Sequence, residues 1–218
     1  MAGSSSKYTN IELTNIWKTL KSKIGRVQEE ASHKLFEYLQ KHPEETDEIF
    51  KEFHTGLQSP NKQDKLGIFL ALNKILDISH ETQIIMYVNK LIPDVRQQLE
   101  TNNVSQEIVE KGAECLGNLA RSGGNITVKN IDDTLERAIE LLKSNNRPNN
   151  TDIKKYSAVL ILKEFSQKLP LITFNKLFSL VNKPYLQVFE ACKDNRQFVR
   201  EAAAEVINAC IKHISDRQ

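Results

Sequence analysis

The side chains with the most chemistry to offer are five histidines (His33, His42, His54, His80, His213), three cysteines (Cys115, Cys192, Cys210) and the acidic run Glu44-Glu45-Thr46-Asp47-Glu48. None stands in a pattern that chemistry needs. A zinc hydrolase places two histidines and a glutamate as HExxH, and a zinc or redox site brings cysteines together as CxxC; both are absent. So is the GxSxG turn that exposes a nucleophilic serine. A phosphate-cradling loop needs GxxxxGK[ST], and the lone Ser122-Gly123-Gly124 has no lysine after it. The histidines are dispersed and mostly on polar faces. The acidic run fits the first turn of a helix, where negative charge complements the dipole. Asp194 and Arg200 read as a bond within or between structural repeats; exposed, such a pair contributes about 0.2–1 kcal/mol, and half-broken while buried it costs roughly 3–5 kcal/mol. The sequence therefore predicts no catalytic residue, no cofactor, no metal ligand and no enzyme in this chain.

The chain has 218 residues, of which 39% are hydrophobic and 27% charged, enough to bury a sizeable core. Only 8 Gly and 6 Pro punctuate long Leu/Lys/Glu-rich runs, which favours helix over strand. The net charge is +2 with both signs interspersed, so no basic stripe offers itself to nucleic acid. The polar start MAGSSSKYTN lacks a signal peptide's apolar stretch, Ala2 stands where myristoylation needs glycine, and no run reaches the length of a membrane span. Three widely spaced cysteines in apolar helical contexts predict buried thiols in a reducing compartment. The sequons at Asn103, Asn125 and Asn149 are then chance matches, and a cytoplasmic protein is expected.

What would position these residues is a repeat. Gln28/Ala31/Leu35, Lys65/Ile68/Leu72, Val109/Gly112/Leu116, Lys155/Ala158/Leu162 and Arg200/Ala203/Ile207 share one spacing, and their middle members lie 37, 44, 46 and 45 apart. Six residues before each first member stands a cap former: Ser22, Ser59, Asn103, Asn149 or Asp194. Between these runs lie further helical stretches at 9–21, 44–57, 81–99, 126–143 and 171–192. Each unit is thus a helix pair, an A helix and then a B helix. Pro93 and Pro184 fall at matched positions and predict a repeated kink inside an A helix. SGGN at 122–125 and NNRPNN at 145–150 read as helix stops. A two-helix period of this length with Asp194, Val199, Arg200 and Ala203 at these offsets is the HEAT signature. The expectation is an all-α, armadillo-like superhelix: a disordered tail at 1–8, then a solenoid of about five HEAT-type pairs over 9–218. Its repeats are about 9–41, 44–78, 81–122, 126–169 and 171–215, with Lys155, Ala158 and Leu162 completing the signature set.

Helical angles add a directional reading. Apolar residues of 198–214 spread over roughly 220° of the helix, against roughly 120° for the first B helix. A helix facing one neighbour needs the narrower arc and a helix between two needs the wider one. The first repeat is therefore expected to be an end. The fifth is expected to be covered by a sixth beyond Gln218 and, without it, to self-associate through residues such as Ile207 and Ile211.

The stretches KKYSAVLILKEFSQKLP (154–170) and VFEACKDNRQFVREAAAEVINACI (188–211) resemble the N-terminal HEAT region of the target-of-rapamycin (TOR) serine/threonine kinases, of the phosphatidylinositol-kinase-related family. LKSKIGRVQEEASHKL, DKLGIFLAL and CLGNLARSG match upstream in order and spacing, so the similarity covers about residues 12–214. Gln28 and Val109 depart from its basic positions. The resemblance implies a catalytically inert scaffold of a kinase whose ATP and magnesium ligands lie elsewhere, acting in nutrient and growth signalling. It also implies partners: Raptor or Rictor-type subunits, a Rheb-like small GTPase and other parts of a dimeric TOR complex, with peripheral placement on endolysosomal or vacuolar membranes through them. A free-standing HEAT adaptor in transport or trafficking would show the same period.

Overall fold

Leu13, Ile16, Trp17 and Leu20 recur at the spacing of one helical face, and all four are buried. They define α1 (Ile11–Leu20), the first element of a computed structural model that describes residues 11–78, 82–101, 104–143, 152–180 and 182–216. The expected tail at 1–8 and the stop at 145–150 lie outside the described residues. Among those described there are eleven α-helices, two short 3-10 turns and no strand. The chain divides into two units, residues 1–79 and 80–218.

In the first unit α1 is followed by α2 (Gly25–Lys41), a 3-10 turn (Pro43–Glu45), α3 (Thr46–Leu57) and α4 (Lys62–Ile78). The acidic run is split: Glu44 and Glu45 form the turn, and Asp47 and Glu48 occupy the first turn of α3. α2 packs on α1 and α4, and α3 packs on α4. Trp17 and Phe50 both meet Phe53 edge-on, with ring centroids 5.5 and 5.4 Å away. Gly67 lets α4 touch the end of α1: a Cβ there would sit 2.2 Å from the Leu20 carbonyl oxygen.

The second unit holds α5 (Thr82–Glu100), α6 (Gln106–Gly123), a 3-10 turn (Gly124–Thr127), α7 (Val128–Lys143), α8 (Asp152–Lys168), α9 (Pro170–Leu177), α10 (Tyr185–Ala191) and α11 (Gln197–Ser215). α8 lies between α6 and α11 and also touches α7 and α9. Its residues 156–162 are buried without interruption, as a helix surrounded on all sides requires. The stop after α6 works through its glycines. Gly124 takes φ +49°, and a Cβ on Gly123 would strike the Thr127 side chain.

The two matched prolines behave differently. Pro93 lies inside α5, where it has no N–H to give the Asn89 carbonyl four residues back. Asn130 Nδ2, from α7, donates to that carbonyl at 3.1 Å instead. Pro184 stands just before α10, and the A helix expected at 171–192 is two helices, interrupted where Asn182 and Lys183 adopt φ of 63° and 44°. The kink expected there is a break, because a proline disfavours helical geometry in the residue before it. In α11 one side of the wide arc (Val199, Ala202, Ala203, Val206, Cys210) is buried. On the other side Ile207 is half-buried, and Ile211 and Ile214 are 55% and 43% exposed.

Candidate functional site

The signature positions converge on the start of α11. Ala158 and Ala203 are fully buried, as are Leu162 and Val199. α8 and α11 pack on one another, and the absence of a long side chain at Ala158 and Ala203 leaves both helices room within the core. The corresponding large residues Leu35, Leu72 and Leu116 are likewise fully buried.

The polar signature residues form a cluster around Asp194, whose side chain is only 6% exposed. Its Oδ2 accepts from Lys155 Nζ of α8 at 2.6 Å and from Arg196 Nη2 at 2.9 Å. Its Oδ1 accepts from Arg196 Nε at 2.7 Å and from the Arg196 amide at 3.1 Å. Arg196 Nη1 also pairs with Asp152 at the start of α8, at 2.7 Å. The Arg196 guanidinium, followed by Lys155 and the Arg196 amide, holds the Asp194 carboxyl well below the usual carboxylate range against the opposing effect of burial. Asp194 in turn holds the Arg196 guanidinium above its ordinary value.

Arg200, expected to meet Asp194, does so through the backbone: its Nη1 donates to the carbonyls of Asp194 and Asn195 at 2.8 and 2.9 Å. The carboxylate is already occupied by Arg196, two residues away and able to grip it with two parallel bonds. Arg196 is the member that sequence reasoning missed; its signal was the Asp-x-Arg spacing.

The cap formers do accept hydrogen bonds from nearby amides, one turn early. Ser22 Oγ accepts from Ile24 N at 3.2 Å, Ser59 Oγ from Asn61 N at 3.1 Å and Asp194 Oδ1 from Arg196 N. Each lies three residues before its helix begins and fixes the turn that leads in. Asn103 and Asn149 lie outside the described residues. Gln28 plays in the first unit the part of Lys155 in the second: its Nε2 donates to the Leu20 and Gln63 carbonyls at 2.8 and 2.9 Å, tying α2 to the start of α4. Lys65 is half-buried, and that burial lowers its pKa.

Further polar rungs in the second unit join residues about one repeat apart. Tyr156 Oη donates to Glu110 at 3.0 Å and Lys163 pairs with Glu205 at 2.8 Å along the B helices. Arg137 pairs with Glu100 at 3.1 Å, and Lys176 with Asp132 and Glu136 at 2.6 and 2.7 Å, along the A helices. Burial, then Glu110, pushes the Tyr156 phenol up to about 12. Opposite charges about one period apart were the sequence signal for the ionic rungs.

The three cysteines are free thiols. Cys115 and Cys210 are buried, Cys192 is half-buried, and burial raises all three thiols, Cys210 to about 11; none is poised as a nucleophile. His42, Glu44 and Glu45 bring ligand atoms within 4.8 Å of one another. Glu45 accepts from Tyr38 Oη at 2.8 Å, however, and His42 Nδ1 faces Glu44 at 3.3 Å, so bonds within the turn account for that grouping. His80 lies outside the described residues.

This arrangement is that of an armadillo-like α-solenoid. A designed armadillo repeat protein, solved in complex with the peptide (KR)4, superposes with a TM-score of 0.54 over 91% of this chain and 81% of its own, at 14% identity. No protein-family model matches the chain. Among curated proteins it is similar to TOR kinases, as its B-helix motifs imply. It is 22% identical over 211 residues to the serine/threonine-protein kinase tor1 of Schizosaccharomyces pombe, across 91% of this chain. It is 24% identical over 174 residues to the kinase TOR of Arabidopsis thaliana, across 79%, and 25% identical over 213 residues to mTor of Drosophila melanogaster, across 91%. The chain spans only 6–8% of the length of these relatives. Its described residues form an all-helical repeat array, not a kinase catalytic domain. Among the described residues no helix is long and apolar enough to cross a membrane.

Proposed function

We propose that this chain is the non-catalytic N-terminal scaffold of a TOR-type protein serine/threonine kinase, a solenoid that docks protein partners in nutrient and growth signalling. The observation that carries the reading is the alignment with the TOR-type kinase tor1 over 91% of a chain whose described residues form eleven α-helices and no strand. The helix pairs are the five repeats 9–41, 44–78, 81–122, 126–169 and 171–215. In this reading Asp194 and Lys155 lock the fourth and fifth repeats together, Arg200 ties the start of α11 to the turn before it, Val199, Ala203, Ala158 and Leu162 fill the seam, and partners bind elsewhere on the surface. The partners are Raptor or Rictor-type subunits, a Rheb-like small GTPase and other parts of a dimeric complex. The location is the cytoplasm, with recruitment to endolysosomal or vacuolar membranes through them.

Sequencing the full-length transcript tests the reading. Continuation past codon 218 through more helical repeats into a kinase domain supports it. A natural stop codon there refutes it in favour of a free-standing adaptor. Binding of the purified chain to Raptor-type, Rictor-type and GTP-loaded Rheb-type proteins, read by biolayer interferometry, then tests the partners; no saturable binding to any of them refutes the docking role.

A further inference from the structure

Six prolines occur in the chain, and only one follows a hydroxyl-bearing residue: Ser59-Pro60-Asn61-Lys62, the link between α3 and α4. We propose that Ser59 is a phosphorylation site for a proline-directed serine/threonine protein kinase, and that the phosphate loosens the α3–α4 turn of the first unit. Such kinases choose a serine by the residue after it, since proline presents a compact ring and no N–H, and by a basic residue two places further on. Pro60 and Lys62 meet both requirements. Pro60, Asn61 and Lys62 are exposed and Ser59 is half-buried, so the motif lies on the surface. Ser59 also lines an open cavity of about 280 Å³ within the first unit, shared with Trp17, Lys21, Glu52, Thr55 and Asp64, which gives a phosphoryl group room.

The chemistry balances with ATP as donor. The Ser59 Oγ attacks the γ-phosphorus, an Oγ–P bond forms, the bond to the β-phosphate oxygen breaks, and ADP leaves. The hydroxyl proton passes to the kinase's own carboxylate base. In the unmodified chain that hydroxyl donates to Asp64 Oδ2 at 2.8 Å while accepting from the Asn61 amide at 3.1 Å. In phosphoserine the esterified Oγ has no proton to donate, and the phosphate carries roughly −1.5 to −2 charge at neutral pH. Asp64 changes from acceptor to like-charged neighbour, with the Glu52 carboxylate on the same cavity wall. The amide of Gln63, which could have welcomed an anion at the start of α4, already bonds Asn61 Oδ1 at 3.0 Å. Lys21 is the one cation among the residues that line this cavity, against the two carboxylates Glu52 and Asp64. The modification therefore undoes the bond that fixes this turn.

The test incubates the purified 218-residue chain with ATP, magnesium and a recombinant cyclin-dependent or mitogen-activated kinase. One phosphate is expected at Ser59 by peptide mapping, none on Ser59→Ala, and a rate at least about tenfold lower on Pro60→Ala. The same Pro60→Ala loss is expected on a free peptide of residues 54–67, where a folding effect has no part. The phosphoprotein should melt several degrees lower, read by fluorescence of Trp17, the chain's single tryptophan. In Asp64→Asn the phosphate should cost less than half as much. A free peptide that is phosphorylated while the folded chain is not would overturn the site, and an unchanged Tm in the phosphoprotein would overturn the loosening.

Discussion

Replacing Asp194 with Asn keeps the shape at the start of α11 and removes its charge. The carboxylate takes four bonds, from Lys155 Nζ, Arg196 Nε and Nη2, and the Arg196 amide. An asparagine oxygen can keep two of them. With its oxygen in the Oδ1 place, its NH₂ group faces both Lys155 and the second guanidinium nitrogen, donor against donor. Two charge-assisted bonds are lost, each contributing about 1.5–3 kcal/mol. The Lys155 and Arg196 side chains keep 17% and 20% of their exposure, so water returns part of that loss. The expected destabilisation is about 3 kcal/mol, near the lower bound for breaking a buried pair, and a fall in Tm of roughly 6–12 °C for a chain of this size. Urea denaturation followed by circular dichroism measures it. The sign with pH is fixed by the lowered folded-state pKa of Asp194. Its stabilisation is fully present above the unfolded carboxyl pKa of about 3.9 and declines as pH falls below that towards the folded value. The gap between parent and Asp194→Asn should therefore be widest near pH 7 and narrow below about pH 4. A variant within about 0.5 kcal/mol of the parent at pH 7, or a gap that stays constant into acid, refutes the role assigned to this cluster.

Gly67→Ala should destabilise the first unit by about 1–3 kcal/mol although alanine is the better helix former, because its Cβ would meet the Leu20 backbone oxygen; Trp17 fluorescence in urea reports it, and a neutral result would mean that α4 shifts freely. Ala158→Asp and Ala203→Asp should each cost several kcal/mol by burying an unpaired carboxylate; differential scanning calorimetry checks both, and melting within a degree or two of the parent would contradict the seam. Asn130→Ala removes the donor to the Asn89 carbonyl, and since that bond is exposed the cost should stay near 0.5–1 kcal/mol. A loss above about 2 kcal/mol would show that α5 depends on the rescue.

The helices were legible because their burial is periodic: Leu35, Leu72, Leu116 and Leu162 recur at one offset and all are fully buried. The cap formers share one offset too, although the three described ones, Ser22, Ser59 and Asp194, secure the turn before the helix and not its first amides. What one sequence does not carry is competition among neighbours. Asp194 could pair with Arg196, Arg200 or Lys155, and the choice rests on which guanidinium reaches both carboxylate oxygens. The two prolines differ in the same way. Pro93 leaves a carbonyl that a side chain from α7 can reach, whereas the chain before Pro184 turns left-handed at two successive residues. Periodicity predicted the same kink at both, and at Pro184 the structure has a break instead.

The break before Pro184 bears on the order in which the second unit folds. α9 and α10 have eight and seven residues, below the roughly 12–15 at which an isolated helix begins to hold in water. Neither can form ahead of the surface that receives it, whereas α8 and α11, with 17 and 19 residues, can nucleate with each other. Folding should thus spread outward from the α8–α11 seam, with α9 and α10 condensing last and, under native conditions, opening first. In hydrogen exchange their amides should form the least protected cooperative group among the described helices of this unit, so that this pair can loosen while the seam beneath it remains closed.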